Sequence, residues 1–239
     1  MPTVSWGSAK TPHFSGMFSD IDLKRGERHM RFFKILSDDD IKKCLKSIKK
    51  DNFKDGKQTQ PSSEMKKNEE SVNIPDEVRR LITDRFYDTH YVDSVYCPTR
   101  VSVNFYNKYE KDDFYSIHID EFKARPKSNN VFFDYGFSVN LDDGYEGGEF
   151  LLETPIGQIS KKLQAGEAAV FPIIYPHGVA KVTDGIRKNI IGWLTSNISY
   201  EQSYILHNLF EVSVHTKDDQ GMFTKVNLIQ NYLKKEWSK

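Results

Sequence analysis

Two segments before residue 100 carry hydrophobic residues at helical spacing. Ser37 is a suitable N-cap for the first, and the aspartates that follow it suit the positive end of a helix dipole. A second helix is predicted from Pro75, because proline is favoured in the first helical turn. The predicted buried stripes are Ile41, Leu45 and Ile48 in the first helix, and Val78, Leu81, Ile82 and Phe86 in the second.

From residue 100 the period of the hydrophobic pattern shortens to two. Val101, Val103 and Phe105 alternate with their neighbours as in a strand with one buried face, and short apolar runs then recur between turn sequences up to Lys188–Thr195. This rhythm is typical of a β-sandwich or barrel. Two helices are predicted after it, from Tyr204, Ile205, Leu209 and Phe210, and from Val226, Leu228, Ile229, Tyr232 and Leu233.

Two segments lack a regular hydrophobic pattern. Residues 1–28 mix glycine, serine, proline and isolated aromatics, which predicts an extended arm. Lys50–Ser71 carries almost no apolar residue and predicts a mobile, solvated loop that could act as a lid. The predicted organisation is an arm (1–28), an N-terminal helical flank (29–98) with the mobile loop (50–71), a barrel (99–198) and a C-terminal helical extension (199–239).

Charge and cysteine content narrow the class of protein. The 239 residues include 34 basic and 34 acidic ones, so no net field favours nucleic acid or membrane partners. Two cysteines are too few for a disulfide scaffold and favour a reducing compartment. Neither an apolar run of about 20 residues nor the apolar core of a signal peptide is found in the sequence. We therefore expect a soluble, cytoplasmic protein without a membrane partner.

Candidate metal ligands stand near the start and end of the β region. His118 and Asp120 are two residues apart, so in a strand both side chains point to one face. His177 lies 177 − 118 = 59 residues later, after several predicted strands that could fold it back against the pair. Two histidines and a carboxylate on one side of an ion are the donor set of non-haem Fe(II) oxygenases.

Two further residues could bind an organic anion beside such a metal. Arg187 lies 187 − 177 = 10 residues after His177, and its guanidinium can bind a carboxylate through two parallel hydrogen bonds, as the far end of 2-oxoglutarate would need. Tyr115, three residues before His118, could supply a phenol hydrogen bond, or could be an ordinary aromatic residue of the barrel.

An ordered set of motifs runs through the segment from Arg100 to Asn197. It consists of Tyr115, His118, Asp120, Asn140-Leu141, Tyr145–Phe150, Ala165-Gly166, Phe171-Pro172, His177, Gly185, Arg187 and Trp193. With these motifs the segment resembles the 2-oxoglutarate/Fe(II) dioxygenases of the prolyl 4-hydroxylase type, and among them the PKHD-type hydroxylases. The resemblance implies a mainly β fold, a double-stranded β-helix or jelly-roll barrel with flanking N- and C-terminal helices. It also implies Fe(II), O2 and the co-substrate 2-oxoglutarate, with ascorbate (vitamin C) as a further candidate cofactor.

The implied function is hydroxylation of a peptide, a protein or a small molecule, with release of succinate and CO2. One alternative is an oxidative demethylase of alkylated nucleic acid; such enzymes carry a second arginine on the closing strand, where this chain has Ile191 and Trp193 after Asn189. The other alternative is a non-catalytic ligand-binding barrel, which the presence of all three metal ligands disfavours. A homodimer formed through the helical flanks stays open.

Overall fold

The structure of the chain is a computed structural model that describes residues 30–48, 53–59, 65–121, 131–154 and 157–237. The predicted arm over residues 1–28 lies outside these residues. The helices are α1 (Asp38–Ser47), α2 (Asp76–Asp88), α3 (His90–Tyr96), α4 (Tyr200–His215) and α5 (Gln220–Trp237). None of the helices in the described ranges is long and apolar enough to cross a membrane.

Fourteen strands of the described residues form antiparallel sheets. They are β1 (Arg31–Lys34), β2 (Lys54–Asp55), β3 (Lys66–Lys67), β4 (Glu69–Ser71), β5 (Pro98–Tyr109), β6 (Phe114–His118), β7 (Tyr135–Asn140), β8 (Tyr145–Gly147), β9 (Phe150–Thr154), β10 (Gly157–Lys161), β11 (Glu167–Pro172), β12 (His177–Val179), β13 (Val182–Gly185) and β14 (Arg187–Ser196). The larger sheet has the order β1-β11-β7-β14-β5-β4-β2, the smaller one β10-β9-β12-β6-β3, and β13 pairs with β8. The mainly β architecture with flanking helices is confirmed.

The seven-stranded sheet is buried on both faces. On one face, Ile190 and Leu194 of β14 belong to the largest core cluster, which also contains residues of α1, α2, α3 and α4. On the other face, Phe171 of β11 packs with Phe150 of β9, with ring centroids 5.0 Å apart, in a second cluster between the two large sheets. Because successive strand residues point to opposite faces, β1 and β11 contribute side chains to both clusters.

The two predicted N-terminal helices are confirmed, with one change in the buried face. Ser37 caps α1: its hydroxyl accepts from the backbone N–H of Asp40, whose carboxylate accepts from the backbone N–H of Ser37. Leu45 is exposed, contrary to the prediction, and Cys44 is buried in its place. The α2 stripe is as predicted at Val78, Ile82 and Phe86.

A β-bulge corrects the predicted alternation along β5. Phe105 pairs with Ile191, and Val103 pairs with the next residue of β14, Gly192, so Asn104 is an extra residue in β5. Consequently Tyr106 rather than Phe105 joins Val103 in the core beneath the helices. Phe105 instead faces the opposite side of the sheet, where its ring contacts Trp193.

The predicted loop over Lys50–Ser71 is wrong in both of its described parts: Lys54–Asp55 forms β2, which pairs with β4. Residues 66–71 form β3 and β4, which pair with β6 and β5, and so extend both large sheets. Lys66 and Glu70 are buried, although the sequence suggested a solvated segment. Their opposite charges compensate each other, which allows these polar side chains to lie inside the protein. Mobility of the segment stays a prediction.

The two predicted C-terminal helices exist, but their buried faces differ from the predicted ones. In α4, Leu206 and Phe210 are buried, while Ile205 is exposed. In α5, Val226 and Gln230 are buried, and the apolar residues Leu228, Ile229 and Tyr232 are exposed. The helix therefore packs against α4 through a narrow stripe and leaves much of its apolar face on the surface.

Candidate metal centre

Strand pairing brings the two predicted histidine ligands together. His118 ends β6 and His177 begins β12, and the two residues are direct partners in the smaller sheet. Val179 pairs with Tyr115, so two residues of β6 lie opposite Gly178 alone. This bulge brings Tyr115 to the side of His118, and a Cβ on Gly178 would lie 2.6 Å from the Tyr115 carbonyl oxygen. Glycine at this position therefore permits the local geometry.

His118, Asp120 and His177 form a compact donor set. Their potential ligand atoms all lie within 4.8 Å of one another. Nε2 of His118 is 3.4 Å from one oxygen of Asp120, and Nε2 of His177 is 3.6 Å from the other. Two imidazole nitrogens and a carboxylate at this separation fit one divalent metal ion. The structure thus brings together all three residues singled out from the sequence.

The orientation of each imidazole is fixed from behind by a backbone carbonyl. Nδ1–H of His118 donates to the carbonyl of Ser116 at 2.9 Å, and Nδ1–H of His177 donates to the carbonyl of Tyr175 at 3.1 Å. The Nδ1 proton leaves Nε2 unprotonated in the neutral ring, so Nε2 can act as a ligand. Both carbonyls lie two residues before the histidine they orient.

Burial and neighbouring charges favour the protonation states that metal binding needs. Burial lowers the pKa of His177 to about 4, although the Asp120 carboxylate opposes this shift. Burial alone would raise the pKa of Asp120, but the contacts with His118 and His177 and the hydrogen bond from Trp193 outweigh it and lower this pKa to about 2. At neutral pH His177 is neutral and Asp120 is anionic, as ligands of a metal ion must be.

Trp193 is a site residue whose role the sequence analysis missed. Its indole Nε1–H donates to one oxygen of Asp120 at 2.9 Å, and its ring lies between Phe105 and Phe133. Trp193 follows Arg187 by six residues along β14, so period-two alternation places both side chains on the same face of the sheet. That alternation was the signal available in the sequence.

Arg187 is completely buried and only partly hydrogen-bonded. Its Nη1 donates to Asn189 at 3.0 Å, and its guanidinium lies 5.3 Å from the ring centre of Tyr109. Among the described residues, Nε and Nη2 are buried without a hydrogen-bond partner. A buried guanidinium with two unsatisfied nitrogen donors is costly, and an anion is the partner that its fork geometry fits.

Tyr115 lies directly against the donor set. Its ring stacks on the imidazole of His118, with centroids 3.7 Å apart and planes at 15°. The bulge in β6 explains how a residue three positions away in sequence reaches the site. Any hydrogen bond from its hydroxyl to a co-substrate stays a prediction.

Two comparisons of sequence relate this chain to known proteins. A family model described as the 2OG-Fe(II) oxygenase superfamily matches residues 104–195. A PKHD-type hydroxylase of Idiomarina loihiensis is 28% identical over 84% of this chain and 94% of its own length. A PKHD-type hydroxylase of Prochlorococcus marinus is 30% identical over 73% of this chain and 82% of its own length.

Solved structures show a similar fold at low sequence identity. A prolyl hydroxylase from Trichoplax adhaerens, in complex with a hypoxia inducible factor peptide fragment, superposes with a TM-score of 0.57 at 14% identity. The match covers 75% of this chain and 87% of that chain. HygX from Streptomyces hygroscopicus, with nickel, 2-oxoglutarate and hygromycin B bound, gives 0.51 at 13% identity, over 72% of this chain and 85% of that one.

The antiparallel sheets and the His-Asp-His donor set define an Fe(II)- and 2-oxoglutarate-dependent dioxygenase. Within that class, the chain belongs to the PKHD-type hydroxylases. It is therefore an oxidoreductase that uses Fe(II), O2 and 2-oxoglutarate to hydroxylate a substrate. The family resemblance identified from the sequence is confirmed.

Proposed function

We propose that His118, Asp120 and His177 bind the catalytic Fe(II) and that Arg187 binds the distal carboxylate of 2-oxoglutarate. The observation that carries the proposal is the combination of a metal-donor set within 4.8 Å and a buried guanidinium with two nitrogens that have no hydrogen-bond partner among the described residues. Three protein ligands leave coordination positions for the co-substrate and O2. A carboxylate at Arg187 would accept one hydrogen bond from each of these two nitrogens in a bidentate contact.

Each residue of the site has a definite task in this reaction. Iron with bound 2-oxoglutarate and O2 supplies the oxidising chemistry, which hydroxylates the substrate and releases succinate and CO2. The backbone carbonyls behind His118 and His177 aim both Nε2 atoms at one point. Trp193 restrains one oxygen of Asp120, and its contacts with Phe105 and Phe133 form an apolar wall that excludes water beside the carboxylate.

The substrate we propose is a peptide, a protein or a small molecule that presents an apolar group to the metal. Exposed apolar side chains flank the donor set in sequence: Ile119 stands between two proposed ligands, and Ile174 lies three residues before His177. The similar structures are described with a peptide fragment and with hygromycin B, which supports either size of substrate. A nucleic acid demethylase is disfavoured, because β14 carries Ile191 and Trp193 after Asn189, where such enzymes carry a second arginine.

We propose that the two large sheets form a double-stranded β-helix, because their facing sides share one core cluster. The proposed limits stay as predicted from the sequence: an arm (1–28), a flank (29–98), a barrel (99–198) and an extension (199–239).

Exposed Leu228, Ile229 and Tyr232 of α5 support a homodimer. The two unpaired cysteines support a cytoplasmic location. Ascorbate stays a predicted cofactor.

Succinate formation without added substrate tests the ligand assignment. His177→Ala should abolish this uncoupled turnover and lower the affinity for Fe(II), because it removes a ligand of the facial set. His215→Ala is the matched control: His215 is exposed on α4 and should be dispensable. Iron affinity and turnover in His177→Ala equal to those of the control would contradict the assignment.

A further inference from the structure

A buried ion pair lies on the strands that join the sheets from the N-terminal flank. The ammonium of Lys66 is 2.5 Å from a carboxylate oxygen of Glu70 and donates to the Thr59 hydroxyl at 3.0 Å. The Lys66 and Glu70 side chains are only 4% and 5% exposed. Burying two charges costs more free energy than burying apolar side chains of the same volume, so the pair is not explained by stability alone.

Lys66 is held against an aromatic ring of the site. Lys66 pairs with Tyr115 in the register of β3 and β6, and its ammonium lies 4.7 Å from the centre of the Tyr115 ring. His118 stacks on Tyr115 at 3.7 Å, so it occupies one face of the ring and leaves the other to the ammonium. The three side chains form a stack of cation, phenol and imidazole, which we call the Lys66 stack.

Through the stack, Lys66 can influence the positions of the Tyr115 phenol and the His118 imidazole. A cation held over a buried aromatic ring is attracted by the ring quadrupole, and Glu70 and Thr59 fix the position of the cation. Tyr115 is thereby pressed between a fixed charge and the imidazole of His118. The position of the phenol and the tilt of the imidazole both affect how a co-substrate fits beside the metal.

We propose that Lys66, anchored by Glu70, is a positioning residue that acts through Tyr115 on the binding of 2-oxoglutarate. The inference rests on the proposed function, in which His118 is a metal ligand and Tyr115 borders the co-substrate. In this proposal β3 and β4, over residues 66–71, form part of the active-site wall. The competing explanation is that the pair only holds β3 and β4 in place.

A matched control is the ion pair between Lys67, the neighbour of Lys66 on β3, and Asp113, which directly precedes β6. They form an ion pair at 3.2 Å, and Lys67 is half exposed on the face opposite to Lys66. The double change Lys67→Met with Asp113→Asn removes a charge pair next to the Lys66 stack without touching the stack. If the Lys66–Glu70 pair acted only by stabilising the strands, the control change should weaken 2-oxoglutarate binding as well.

The test is a double-mutant cycle on the dissociation constant of 2-oxoglutarate, measured by anaerobic titration of the Fe(II) enzyme. Lys66→Met with Glu70→Gln leaves no uncompensated charge, and should weaken binding about tenfold, as the loss of a desolvated cation–π contact would. In a Tyr115→Leu background the same change should have less than about a twofold effect, because the interaction partner is gone. Lys66→Arg, which keeps the cation, should bind 2-oxoglutarate with a dissociation constant within about threefold of the wild-type value.

Equal weakening in both backgrounds would overturn the inference, as would no weakening in either. If Lys66→Met with Glu70→Gln fails to fold, Lys66→Gln with Glu70→Gln keeps a hydrogen-bonded pair and enters the same cycle with the same expectations. A failure of the proposed function itself would look different: if His118 is not a metal ligand, His118→Ala should still bind iron. A cycle without coupling, together with loss of iron in His118→Ala, rejects only the role of Lys66.

Discussion

Replacement of Arg187 with methionine should weaken 2-oxoglutarate binding strongly without unfolding the empty protein. The guanidinium is fully buried, and no described residue offers a hydrogen-bond partner to its Nε and Nη2. Methionine fills much of the same volume and leaves no buried donor unsatisfied. The change costs the Nη1 bond to Asn189 and removes an uncompensated charge, so the empty variant should be as stable as the wild type, or more so.

The size of the binding defect follows from the lost contacts. A hydrogen bond to a charged group contributes about 1.5–3 kcal/mol, so two bonds to one carboxylate, with shared desolvation, contribute about 3–4 kcal/mol. Each 1.4 kcal/mol is about a factor of ten, and the dissociation constant should rise roughly 150- to 700-fold. Metal affinity should change little, because Arg187 is not one of the proposed ligands.

Thermal unfolding with Mn(II) as a redox-inert metal and increasing 2-oxoglutarate measures this effect. At 100 times the wild-type dissociation constant, the wild type should gain about 2.7 kcal/mol and Arg187→Met about 0.3 kcal/mol or less. Lys188→Met is the control: Lys188 neighbours Arg187 in sequence but pairs with Asp142, and its variant should keep the full gain. A full gain in Arg187→Met, or strong destabilisation of its empty form, would refute the reasoning.

Three further changes test separate parts of the structure. Trp193→Phe removes the hydrogen bond to Asp120 and should weaken Fe(II) binding about tenfold in a metal titration, whereas unchanged affinity would make the bond irrelevant. Asp40→Asn removes the charge from the two-point contact with Arg85 and weakens the return hydrogen bond from the Ser37 N–H, and should lower the free energy of unfolding in urea by about 1–2 kcal/mol. Burial lowers the pKa of His207 from 6.5 to about 3, so the unfolded chain binds the proton more tightly than the folded one. The contribution of His207 to stability should therefore fall by about 1.6 kcal/mol from pH 6.5 to pH 5, and the pH slope of stability should be smaller in His207→Gln.

The donor set could be predicted from the sequence because its chemistry leaves a readable pattern. The spacing of His118 and Asp120 predicted that both side chains point to one side, and they do converge, although β6 ends at His118 and Asp120 follows it. His177 was matched to them by residue type and by family resemblance. The stack of Tyr115 on His118 depends instead on an extra residue in β6, opposite Gly178. A single bulge shifts every side chain after it to the other face, and no hydrophobic pattern in one strand reveals which partner strand will produce it.

The strands over residues 66–71 were missed for a different physical reason. Sequence reasoning assigns polar segments to the surface, because an isolated buried charge is unstable. Lys66 and Glu70 are buried together, and each provides the counter-charge of the other. Such compensation between residues four apart depends on their packing against β5 and β6, which is known only once the sheets are assembled. The sequence also did not show that much of the apolar face of α5 is exposed, because hydrophobic periodicity identifies an apolar stripe but not what covers it.

The most direct test of the central claim is anomalous diffraction at the iron edge from crystals of the anaerobic Fe(II) enzyme with 2-oxoglutarate. The structure predicts one iron peak about 2.2 Å from Nε2 of His118, Nε2 of His177 and an oxygen of Asp120, with a carboxylate of 2-oxoglutarate against Nε and Nη2 of Arg187. Iron bound elsewhere, or 2-oxoglutarate with neither carboxylate at Arg187, would contradict this account of the site.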